Sequence, residues 1–121
     1  MAQPNCRLKS KRLTTWAAFD RWLAARKAGI RFQQKKVDSC PLARFANAHV
    51  YTQKYKRKDQ HVSEWMPHWA VEFIREFDSD QLSDKAGFIS AGRVRTHLRN
   101  VVKRLKDMKI ELNGISYRGK Q

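Results

Sequence analysis

Apolar residues recur along this chain at two spacings, and the switches between them mark its elements. Trp16, Phe19 and Leu23, with Trp22 beside them, share one face of a helix that Thr14 or Thr15 can cap and Gly29 can stop. Ile30 and Phe32 then alternate with Arg31 and Gln33, a strand pattern that fades into Lys35-Lys36. Ser39 is placed to cap a second helix, with Pro41 in its first turn and Leu42, Phe45 and Ala46 facing inward. Val50 to Tyr55 reads as a strand that ends in a polar turn, Lys56 to Gln60. A third helix begins around Met66-Pro67. It carries Trp69, Phe73 and Phe77 four apart, with Glu72 and Glu76 on its outer face.

The longest helix is predicted over residues 91–108, capped by Ser90 and about 27 Å long. At 100° per residue, Val94, Leu98, Val101, Leu105 and Met108 fall within about 40° of one direction, and Val102 borders them. Arg95, Arg99, Lys103 and Lys106 gather on the opposite side, and Arg93 and Arg104 form a flanking row. Asn113-Gly114 then separates two alternating runs, a hairpin signal because the tight turn needs positive φ at both central residues. Together these elements predict an α+β fold of about four helices, a small antiparallel sheet and a C-terminal β-hairpin. Residues 1–13, in which Leu8 and Leu13 are the sizeable apolar groups, read as a basic flexible arm. Residues 14–121 read as a single domain.

Composition agrees with a folded chain. Its 121 residues are 41% hydrophobic and include four Trp, six Phe and three Tyr, enough to bury a core. No apolar run approaches the roughly 18 residues of a membrane span, and the N-terminus lacks a signal peptide's apolar segment. Two cysteines, Cys6 and Cys40, imply no disulfide framework; one bridge between them and two free thiols both fit. The expectation is a cytoplasmic protein with no membrane partner.

Charge changes the picture most. Residues 1–60 hold 15 Lys/Arg against 3 Asp/Glu (net +12), and residues 93–121 hold 9 against 2 (net +7). Between them, residues 61–92 hold 2 against 6 (net −4). Two basic blocks around an acidic one suggest a surface built to meet a polyanion, and nucleic acid, DNA or RNA, is the first partner to consider. The candidate contacts are Arg93, Arg95, Arg99, Lys103 and Lys106 on the last helix and Arg118 and Lys120 on the hairpin. Lys54, Lys56, Arg57 and Lys58 around the polar turn, and Lys35 and Lys36 after the first strand, extend the set. Tyr51 and Tyr55 could stack on unpaired bases, or could be half-buried strand residues. A basic amphipathic helix can also be no more than a solvated face. The alternative partner is an acidic protein or a protein–nucleic-acid complex, met by a small inhibitor or adaptor of the kind a phage can encode.

Candidate chemistry is sparser. Cys40 at a helix start among cations could be a thiolate nucleophile, or a small buried residue before Pro41. His49, His61, His68 and His97 are conceivable bases, but none is paired with it by spacing. Cys6, Cys40, His49, His61 and His68 lack the close pairs of a structural zinc site. Glu72, Glu76, Asp78, Asp80 and Asp84, with Lys85 or His68, could hold magnesium in a nuclease, or could balance the basic blocks. No glycine-rich phosphate loop occurs, so no cofactor is implied and binding without catalysis is the leading expectation.

Two resemblances follow from particular segments. DSCPLARF (38–45), a strand, MPHWAVEFIREFD (66–78) and an Ile-Ser-Ala helix start are similar to small bacterial and phage proteins with a Cys-Pro-Leu-Ala segment. That resemblance spans roughly residues 16–105 and implies a compact α+β domain of mobile-element origin, with no activity attached. The last helix and its hairpin, about 30 residues, resemble the recognition helix and wing of winged-helix DNA-binding domains.

Overall fold

The computed structural model describes residues 9–27, 30–34, 39–78 and 88–114. Among them are four helices and five short strands, an α+β arrangement. Helix α1 (Trp16–Ala24) buries Phe19, Asp20 and Leu23. Phe19 is fully buried, with ring centroids of Phe45, Trp69, Phe73 and Trp22 at 5.3, 5.7, 5.3 and 6.1 Å. The spacing that marked α1 in the sequence therefore serves a central aromatic cluster.

Helix α2 (Pro41–Ala46) is capped by Cys40, not by Ser39: the Cys40 sulfur accepts from the Ala43 amide at 3.4 Å. Pro41 occupies the first turn, where its missing N–H costs nothing. Asn47 ends the helix at φ 55, a left-handed conformation that Asn tolerates well. Its carbonyl accepts from the Ser10 hydroxyl at 2.7 Å and the Lys58 amide at 3.0 Å, while the Lys11 amide donates to the Ala46 carbonyl at 2.8 Å. Leu13 is buried, and its amide donates to the Tyr55 hydroxyl at 3.0 Å. Residues 10–13, read from the sequence as part of a flexible arm, are thus fastened to the domain.

Strands β2 (Ala48–Val50), β3 (Lys54–Arg57) and β4 (Glu64–Trp65) form an antiparallel meander. The single strand predicted through Tyr55 instead reverses at Thr52-Gln53, closed by the Tyr51 amide on the Lys54 carbonyl. Tyr-Thr-Gln-Lys contains neither Gly nor Asn, so the turn left no signal. Lys56 and Arg57, expected in the polar turn, are strand. A second sheet pairs β1 (Arg31–Gln33) with β5 (Phe88–Ser90), setting Phe32 against Ile89.

Helices α3 (His68–Phe77) and α4 (Ala91–Asp107) begin where the sequence placed them. The Ser90 hydroxyl caps α4 by accepting from the Arg93 amide. Val94, Leu98, Val101, Val102 and Leu105 are buried, but Met108 is 59% exposed. Lys109 adopts φ 60 just beyond the helix, and the Ile110 amide returns to the Leu105 carbonyl at 3.0 Å. The helix thus ends at Asp107, with Met108 as its exposed C-cap.

The chain then lies over the start of α3 and gives its orphan amides acceptors. His68 and Trp69 amides donate to the carbonyls of Gly114 and Leu112 at 2.9 and 3.2 Å. Ile110 to Gly114 is therefore a docked loop and not the first strand of a hairpin; the rest of the predicted hairpin lies outside the described residues.

Two stability predictions follow from this architecture. Phe19→Ala is expected to cost about 3–5 kcal/mol by leaving a void among four rings. Lys109→Gly is expected to stabilise by about 1 kcal/mol, because a left-handed residue without Cβ is less strained. Lys109→Val is expected to lower stability, and urea unfolding of the three variants checks both signs.

Candidate nucleic-acid interface

The basic face of α4 is not free-standing. Ala91 and His97 are buried with the apolar stripe, so the buried arc is wider than the five predicted residues. The helix lies between α1 and α3. His97 donates to the Phe73 carbonyl at 3.1 Å and lies tilted against the Phe73 ring, 5.0 Å between centroids; burial first, then Arg104, pushes its pKa down against that bond and Glu76.

Toward α1, the Asp20 carboxylate receives two guanidiniums. Arg95 donates at 2.9 and 3.3 Å, and Arg99 at 3.2 and 3.4 Å. Burial by itself would raise the Asp20 pKa, but hydrogen bonds and charge from Arg95 and Arg99 outweigh it and hold the pKa below the ordinary value. Toward α3, Arg104 pairs with Glu76 and lies 3.6 Å from Glu72, which also receives Arg75. On the meander, Arg57 grips Glu64 through two bonds of 3.0 Å, and Arg12 approaches the same carboxylate at 3.7 Å. Arg57, Arg95 and Arg99, expected to face a ligand, are thus partly engaged inside the fold.

The other expected contacts scatter. Arg93 and Lys103 are exposed on α4, and the Lys106 ammonium sits 5.7 Å from the Trp16 ring centre. Lys54 lies 4.4 Å over Trp65, Lys56 donates to the Gln60 carbonyl, and Lys58 is exposed. Lys35, Lys36, Arg118 and Lys120 lie outside the described residues.

A second basic group, apart from Lys11 of the basic arm, was missed by the sequence reading. Lys11, Arg26 and Arg44 sit 5.0, 4.5 and 5.0 Å over the rings of Phe45, Trp22 and Phe32, which are themselves joined through Trp22. The Trp22–Arg26 spacing of four was the available sign; the Lys11–Phe45 and Arg44–Phe32 contacts are tertiary. Asp20 and Trp22 point about 160° apart around α1, with exposed Arg21 between them. Helix α1 therefore carries cations along both flanks and its outer face. Among the described residues, no acid pairs with Lys11, Arg21, Arg26, Arg44, Lys103 or Lys106.

Among the described residues, those considered for catalysis do not assemble; Cys6, Asp80, Asp84 and Lys85 lie outside them. Burial raises the Cys40 thiol to about 12 and Asp78 adds to this, against the Ala43 amide, so it is no thiolate nucleophile. Glu72 and Glu76 are held by arginines, and no described group of three His, Cys, Asp or Glu could hold a metal ion. Tyr55 is buried and accepts from Leu13, which removes it as a stacking surface, whereas Tyr51 is 46% exposed. Among the described residues no helix is long and apolar enough to cross a membrane. The chain matches no protein-family model, no curated protein and no solved structure.

The shared carboxylate gives a prediction with a defined sign. A lowered folded-state pKa means that Asp20 stabilises above its ordinary value of 3.8, and that this stability is lost as pH falls through the lower folded value. Asp20→Asn should therefore lower the unfolding midpoint at pH 7, with the gap from wild type closing in strong acid. A gap that persists there would assign the effect to packing.

Proposed function

We propose that this chain is a non-enzymatic nucleic-acid-binding protein that meets phosphates with the basic surface around α1 and the adjoining edge of α4. The observation that carries the reading is how the scarce acids are used. Asp20, Glu64, Glu72 and Glu76 are all engaged at contacts between elements, which leaves Lys11, Arg21, Arg26, Arg44, Lys103 and Lys106 without acidic partners among the described residues. Such a surface repels itself, and a polyanion relieves the repulsion while releasing counterions. Arg95 and Arg99 share one carboxylate, so each keeps donor capacity for a phosphate.

Binding to labelled DNA and RNA, measured by anisotropy across salt concentrations, tests this. Five phosphate contacts would give a slope of log affinity against log salt near about −4.5. The double variant Lys103→Glu/Lys106→Glu should weaken binding and flatten the slope, while leaving the Asp20 pairing intact. Asp20→Asn should do the reverse, tightening binding despite a less stable fold, because two arginines lose their internal competitor. Absence of binding at low salt would refute the reading and direct attention to an acidic protein.

A further inference from the structure

The meander exposes aromatic surface that a phosphate-binding face does not need. Tyr51 is 46% and Trp65 36% exposed, and Trp65 sits on an edge strand directly across from Lys54. Trp65 walls two open clefts. One, about 230 Å3, lies between Trp65, Lys54 and Tyr51. The other, about 460 Å3, runs from Trp65 past Arg12 and Leu13 to Thr15. Trp16, the next residue, carries Lys106 and lies on the helix whose Asp20 binds Arg95 and Arg99. Aromatic and basic side chains thus alternate from Tyr51 through Lys54, Trp65, Arg12 and Trp16 to Lys106.

We propose that Tyr51 and Trp65 form a base-stacking platform and that the favoured ligand is single-stranded nucleic acid, its backbone following this track toward α4. The proposal rests on the nucleic-acid reading above and narrows it. Aromatic faces can be used only by bases released from a duplex, and stacking between them is tolerant of sequence. Charge complementarity decides for a nucleic acid over an apolar peptide: Lys54 and Arg12 border the clefts, and Glu64, the acid there, is already gripped by Arg57. The track also explains why an exposed Trp stands at a sheet edge beside a lysine.

The test compares a fluorescein-labelled oligothymidylate of ~15 nucleotides with a duplex of equal length. Wild type should prefer the single strand. Trp65→Ala and Tyr51→Ala should each weaken single-strand binding by roughly tenfold or more, with duplex affinity and salt slope unchanged. Trp65→Phe should keep most of the affinity, and Lys54→Gln should instead flatten the salt slope by about one contact. Equal losses for both ligands, or none in either alanine variant, would overturn the platform while leaving nucleic-acid binding standing. Wild type binding neither ligand would overturn both readings. Tyr51→Ala should unfold as wild type does; Trp65 is 36% exposed and carries Lys54 on its ring, so unchanged duplex affinity is what shows the Trp65→Ala loss to be local.

Discussion

A single carboxylate, Asp20, ties the strongly basic helix α4 to α1. Without it, Arg95 and Arg99 would lose the counter-charge that they share on α1. The same device recurs where α4 meets α3, through Glu72 and Glu76, and where the N-terminal segment meets the meander, through Glu64. With 26 cationic and 11 acidic side chains, acids are the limiting component, and Asp20, Glu64, Glu72 and Glu76 are placed at contacts between elements.

That distribution also determined what the sequence could reveal. The α4 stripe and its Ser90 cap were readable because helix period and capping are local. The partner of Arg95 was not, since Asp20 lies 75 positions away and a helical wheel has no neighbours. The exposure of Arg93, Arg99, Lys103 and Lys106 opposite the stripe was legible, whereas the reach of Arg95 and Arg99 to α1 was not, because it depends on a neighbouring helix. The turn at Thr52-Gln53 escaped because its residues are ordinary, and Tyr55, read either as a stacking surface or as a half-buried strand residue, is core. Trp65 went unnoticed for a related reason: in a two-residue strand there is no alternation to read.

A surface of this kind couples stability to the medium. Added salt screens repulsion among the exposed cations more than it weakens the partly buried pair at Asp20, so moderate ionic strength favours the folded chain. Any polyanion that prefers the folded surface stabilises it further by mass action.

The pairing of β1 with β5 carries a different consequence. It joins Gln33 to Phe88 and Arg31 to Ser90, closing a loop that contains α2, the meander and α3. The meander, by contrast, is made of neighbours in sequence. Local contacts form before distant ones because less chain entropy must be surrendered first. By that argument the meander forms ahead of the two-stranded sheet, although the latter is the smaller of the two.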